Sequence, residues 1–171
     1  MKKINIMIMA FALIFSSQAC KKDEDSDTPE VAVKIGAIAP DFSVADETGT
    51  FYKLSDQRGK YVVVDFWAAW CSICRTENPK MQALYTKYMD KNVQFMGVCL
   101  DENTENWQSA IEADQLTYLQ LIDEDAFSSK VATTYGITSV PFMMLLDTEG
   151  KIITFTSRVS EIESWLNQEI D

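Results

Sequence analysis

From about residue 35 onward the spacing of apolar positions switches repeatedly between two periods. Tyr61 to Phe66 is a continuous apolar, β-branched run broken only by Asp65, the pattern of a central strand covered on both faces. Cys71 to about Asp90 instead places Met81, Leu84, Tyr85 and Tyr88 at helical spacing. Pro79 lies inside that stretch, where a proline removes one backbone hydrogen bond and kinks the helix. Val93 to Leu100 reads as a second strand, and Thr104 opens a helix through Ala113 as its N-cap. A further helix is predicted from Asp125 to Thr134. Phe142 to Asp147 and Ile152 to Thr156 flank Thr148-Glu149-Gly150-Lys151, which has the residues of a hairpin turn. A final amphipathic helix spans Ser160 to Ile170. There is no internal repeat. Strands interleaved with helices, then a hairpin and a closing helix, predict an α/β sandwich with a central mixed sheet between helices and an N-terminal extension.

The extension reads as a targeting segment. Lys2-Lys3 is a charged start, Ile4 to Phe15 a short apolar run, and Ser16-Ser17-Gln18-Ala19 a small, polar cleavage region. The apolar run is too short for a comfortable membrane-spanning helix. Cys20, directly after Ala19, resembles the lipidated cysteine of bacterial lipoproteins, although Ser17 stands where such signals usually carry Leu. The competing reading is an ordinary secretory signal cut after Ala19. Residues 20–34 open with acidic, polar positions that have little to bury, and are expected to form a flexible tether. The acidic run resembles a surface-export tag of some lipoproteins and fits a solvated spacer equally well. The expected organisation is therefore signal 1–19, anchor and tether 20–34, and one globular domain over 35–171.

Charge narrows the function. Fifteen Lys and Arg stand against 26 Asp and Glu, a net charge of −11 that argues against nucleic acid as a partner. No histidine is present, which excludes His-based triads and His-containing zinc sites.

The candidate chemistry lies where the predicted strand runs into Cys71-Ser72-Ile73-Cys74. Two cysteines at this spacing close a small disulfide ring, and a helix start at the first favours its thiolate. The alternatives are a structural disulfide or half of a zinc site. Zinc needs further ligands, and only Cys20 and Cys99 remain among the cysteines. Asp65, six residues before Cys71, is a carboxylate in an apolar strand, where burial raises its pKa towards neutrality. If the strand ended early, Asp65 would simply be solvated.

From about Ile35 to Asp171 the chain resembles the thioredoxin superfamily, specifically its membrane-tethered TlpA/ResA-like thiol-disulfide oxidoreductases. Five segments carry the resemblance: Gly36-Ala37-Ile38-Ala39-Pro40-Asp41-Phe42, Asp65 through Cys74, Arg75-Thr76-Glu77-Asn78-Pro79, Val98-Cys99-Leu100-Asp101, and Tyr135-Gly136-Ile137-Thr138-Ser139-Val140-Pro141. It implies a thioredoxin-like fold with no cofactor and no metal beyond the two cysteines. Cys71 is then the exposed nucleophile and Cys74 the more buried resolving thiol. Asp65 matches the acid that relays a proton in thioredoxin, which makes it a proton acceptor for Cys74. Pro141 matches the family's cis-proline, and Val140 before it is placed to pair with an extended substrate strand. Trp70 shapes the docking surface and Trp67 packs in the core. Glu77 matches a family position but also suits a solvated helix charge. Cys99 reads as a small buried hydrophobe, and Asp101, Glu102 and Asp123-Glu124-Asp125 as loop and cap charges.

Two departures bear on direction. Ile73 stands where most relatives have Pro, and Phe142 follows Pro141 where a smaller polar residue is common. Residues between the cysteines tune a potential that spans about −270 to −120 mV across such proteins. The resemblance and Asp65 favour a monomeric reductant of disulfides in exported proteins, cytochrome-maturation thiols included, held to a membrane by lipid and supplied by a membrane electron donor. The alternatives are a thiol peroxidase, since Ala39-Pro40-Asp41-Phe42 is shared with peroxiredoxins, and a non-catalytic binding module.

Overall fold

The computed structural model describes residues 29–170. The signal segment, Cys20 and the first part of the tether lie outside them. Within them, seven strands form one mixed sheet in the order β2-β1-β5-β4-β3-β6-β7. Its centre is β3 (Tyr61–Trp67), which pairs in parallel with β4 (Val93–Cys99) and antiparallel with β6 (Phe142–Leu146). β3 is hidden on both faces, as its continuous apolar run requires. β5 (Leu119–Ile122) extends the parallel side, and β7 (Ile152–Thr156) closes the other edge through the hairpin. Two three-residue strands, β1 (Ser43–Ala45) and β2 (Phe51–Lys53), complete the sheet beyond β5.

Alternation along β3 divides the core in two. Val63 and Trp67 face α1 (Ser72–Tyr88), α2 (Thr104–Asp114) and α4 (Val159–Glu169), together with Met81, Tyr88, Trp107 and Ile162. Val62, Val64 and Phe66 face the entry segment and α3 (Lys130–Tyr135), with Phe42, Val131 and Tyr135. Asp65 points to the α1 side, by the same alternation.

Three local expectations are revised. The segment predicted as one helix from Asp125 to Thr134 is a short 3-10 turn, Ala126–Ser128, followed by α3. Ser129 divides the two because its hydroxyl accepts the Ala132 N–H and starts a new helix. The N-cap of α2 is Asn103 rather than Thr104: its side chain accepts the Asn106 N–H at 2.8 Å. The tether predicted through residue 34 is shorter, because Ala32 donates to Ile38 O, Ile38 donates to Glu30 O, and Glu30 pairs with Lys34.

Candidate active site

The path of β3 into α1 builds the dithiol. After Trp67 the chain turns through Ala68, Ala69 and Trp70, and Cys71 caps α1 in an extended conformation. Its Sγ accepts the Cys74 N–H at 3.1 Å. That N–H is one of the unpaired donors at a helix start, so a negative charge on Cys71 is stabilised there, together with the helix dipole. Cys71 and Cys74 are joined in a disulfide with Cα atoms 5.2 Å apart. The Val140–Pro141 peptide is cis, and the Val140 carbonyl oxygen lies 3.6 Å from Cys71 Sγ. Cys71 is 6% exposed and Cys74 1%. The nucleophile expected to be exposed is therefore the outer of the two sulfurs but largely covered, packed against the Val140 segment.

Cys71, Cys74, Val140 and Pro141 meet because antiparallel β6 starts where β3 ends: Phe66 pairs with Phe142, one residue after Pro141. Around them the surface is apolar. Trp70 and Ile73 are 62% and 63% exposed, and the Trp70 ring leans on Phe127 with centroids 6.2 Å apart. Trp67 is buried in the core.

Acidic groups lie beneath this surface. Asp65 is 2% exposed, and its Oδ1 has no hydrogen-bond partner among the described residues. Burial, with a smaller contribution from the negative charge of Glu77, raises its pKa to about 7. Glu77 is not a solvated helix charge. It is buried on α1, where its carboxylate accepts the Val159 N–H at the start of α4 (2.9 Å) and pairs with Lys80 (2.5 Å). Burial pushes its pKa up, but the Lys80 ammonium, the Val159 N–H and Arg158 outweigh that and hold it below the usual carboxylate range. Cys99 is fully buried, and burial together with the Asp101 charge raises its thiol pKa well above the ordinary value, so it stays protonated.

Two further contributors were not legible in the sequence. Asp101, expected among loop and cap charges, is buried and accepts from the Ala69 N–H (3.2 Å) and the Asn103 N–H (3.1 Å). It thereby ties the turn before Cys71 to the start of α2. Its signal is only an acid at the end of a parallel strand, two residues before an Asn cap. Arg75, directly after Cys74, makes a bidentate pair with Asp114 (2.5 and 2.8 Å), which also accepts from Asn78 (2.7 Å). This network fixes the first turns of α1 against α2.

A cysteine pair opening a helix, beside a cis-proline at the end of the central strand of this sheet, defines a thiol-disulfide oxidoreductase of thioredoxin-like fold. The sequence pattern of the AhpC/TSA family matches residues 35–155. The thiol-disulfide oxidoreductase ResA of Geobacillus thermodenitrificans is 35% identical over 142 residues, covering 81% of this chain and 80% of the relative. Among solved structures, the thioredoxin domain of a thiol-disulfide oxidoreductase from Bacteroides vulgatus matches with a TM-score of 0.74 at 34% identity, over 81% of this chain and 99% of that one. A thiol:disulfide interchange protein from Bacteroides sp. matches with a TM-score of 0.73 at 34% identity, over 80% and 90%. The chain belongs to the AhpC/TSA family, among its ResA-like thiol-disulfide oxidoreductases.

Proposed function

We propose that this oxidoreductase works as a reductant of disulfides in exported proteins, held at a membrane through a lipidated Cys20. The observation that carries the direction is the pair of buried acids, Asp65 on β3 and Glu77 one turn beyond Cys74 on α1, close enough for the charge of Glu77 to raise the Asp65 pKa. Strong oxidants of this fold owe their potential to a stabilised reduced thiolate. Negative charge in this layer, from Glu77 and from Asp65 once it ionises, opposes that thiolate, favours the disulfide, and so lowers the potential.

In the forward reaction the Cys71 thiolate attacks one sulfur of the partner's disulfide. A Cys71–partner S–S bond forms as the partner's own bond breaks and its first thiolate leaves. Cys74 then passes its proton to the Asp65 carboxylate and attacks Cys71 Sγ, expelling the partner's second thiolate and closing the Cys71–Cys74 disulfide. The partner gains two electrons and the enzyme loses two. A membrane-borne dithiol returns them, because the extracytoplasmic space is otherwise oxidising. The Val140 backbone, Pro141 and the Trp70–Ile73 surface receive an extended, apolar partner segment. Thiols of immature cytochromes are candidates for that segment.

Equilibration of the Cys71/Cys74 pair in thiol/disulfide buffers, followed through Trp67 and Trp70 fluorescence, tests the direction. A two-electron midpoint near about −270 mV is expected, and one near about −120 mV would make the protein a disulfide donor instead. Membership of the AhpC/TSA family keeps a second reading open, in which peroxide oxidises Cys71; consumption of hydrogen peroxide lost in Cys71→Ser would establish it.

A further inference from the structure

Asp65 shares its face of the sheet with a second polar side chain two strands away. In the sheet register, Asp65 on β3 stands beside Gly97 on β4, and Gly97 beside Gln120 on β5. All three share the face that carries the dithiol helix. Gly97 has no side chain, and the Gln120 amide occupies the space above it. A Cβ at Gly97 would fall inside the contact distance of Gln120 Oε1 and only 2.8 Å from its Nε2. The glycine is required here by close approach and not by its backbone angles.

Gln120 is therefore laid across the sheet towards Asp65. Both atoms of its amide, Asp65 Oδ1 and the Tyr118 hydroxyl are buried with no well-formed hydrogen bond among the described residues, the Gln120 amide lying close enough to the Tyr118 hydroxyl to act on it. Four such atoms in one short stretch of sheet are unusual, because buried polar groups are nearly always paired and an unpaired one is costly. A bound water needs two to four polar partners, which these side chains supply. Neighbouring strands are spaced about 4.8 Å apart, so Gln120 spans most of the two-strand gap and leaves about one water's width to the carboxyl.

We propose that Gln120 is a positioning residue for Asp65: from above Gly97 its side-chain amide holds a buried water against Asp65 Oδ1, with the Tyr118 hydroxyl as a third partner. The arrangement gives the carboxylate a hydrogen-bond donor in an otherwise apolar layer, and so sets how readily Asp65 takes the Cys74 proton. The other groups facing Asp65 are few. Glu77 approaches from α1, Cys99 from β4, and Met143 is its uncharged neighbour on β6; Asp101 lies beyond Cys99, and Asp114 acts on Tyr118. None of these donates a hydrogen bond to Asp65 Oδ1. The inference rests on the reading of Asp65 as proton acceptor for its functional consequence, but not for its geometry.

Gln120→Met keeps the length and volume of the side chain and removes its hydrogen bonds, while Gly97→Ala closes the gap from below. In the full-length protein, the pH midpoint of the Asp65 carboxyl is followed by isotope-edited infrared spectroscopy, with Asp65→Asn identifying the band. Both variants are expected to raise the midpoint by about one pH unit, a tenfold gain in proton affinity. Resolution of the mixed disulfide at neutral pH should slow by up to about tenfold, its pH profile moving with the carboxyl, while attack by Cys71 is unchanged. A midpoint unmoved in Gln120→Met overturns the inference. If the midpoint moves but Asp65→Asn leaves resolution untouched, Gln120 does position the carboxyl, and the role given to Asp65 is what fails.

Discussion

A carboxyl group closed into a strand is stable there as the neutral acid and strained as the anion, and this makes Asp65 a pH-dependent liability as well as a tool. Its pKa rises from 3.8 to about 7 on folding. The folded state therefore holds the proton more tightly than the unfolded chain. Stability from this group is complete below about pH 4 and is lost as pH rises towards and through 7. Because the carboxyl is fully enclosed, the full loss is roughly 4 kcal/mol. Asp65→Asn should match the parent in urea titrations near pH 4 and exceed it by a few kcal/mol above about pH 8. The same substitution should slow resolution of a trapped mixed disulfide at neutral pH, as rapid-quench kinetics would register. Equal stability across the range would mean that Asp65 is solvated. The burial of Asp65 was legible because an acid interrupts an otherwise apolar strand. The buried roles of Glu77 and Asp101 were not, because the N–H groups they accept from belong to Val159 and Ala69, which are 82 and 32 residues away.

Helices and strands hold the site by their ends. Cys71 caps α1, Asn103 caps α2, and Asp101 joins the turn before the first to the start of the second. Asp101→Ala takes the acceptor from two partly buried N–H groups, and should cost about 1–3 kcal/mol in chemical denaturation. Attack by Cys71 should slow as well, since the turn that presents it is no longer tied down; a loss of stability with unchanged attack kinetics would confine Asp101 to the fold. Long elements with a clear period were readable from spacing alone, including α1 through Pro79 and the β6–β7 hairpin. β1, β2 and β5 were not foreseen, since three or four residues display too little alternation to register and become strands only by pairing with their neighbours in the sheet. Division of the Asp125–Thr134 segment at Ser129 depended on one hydroxyl choosing a cap over a helix interior, which composition leaves undecided.

At the scale of the whole molecule, an acidic domain presents the apolar Trp70–Ile73 surface beside its dithiol, and its proposed attachment lies in the segment before residue 29. Cys20→Ala should release the protein from the membrane fraction and abolish incorporation of labelled fatty acid, while leaving insulin reduction by the detergent-solubilised protein intact. Retention in the membrane with no label would place the attachment elsewhere. The sheet itself sets the terms on which partners are met. Cys71 follows β3 and Pro141 precedes β6, and these strands are stitched together from Val62–Leu146 to Phe66–Phe142. Nucleophile and recognition segment are thus two lips of a single rigid slot, whose width cannot adjust without breaking a five-rung ladder at the centre of the fold. Whatever enters has to do the bending. On the function proposed above, clients should therefore be selected by how loosely their own cysteines are held, so that chains still unfolded, or disulfides in yielding loops, are expected to be processed while the same bond locked in a finished domain is passed over.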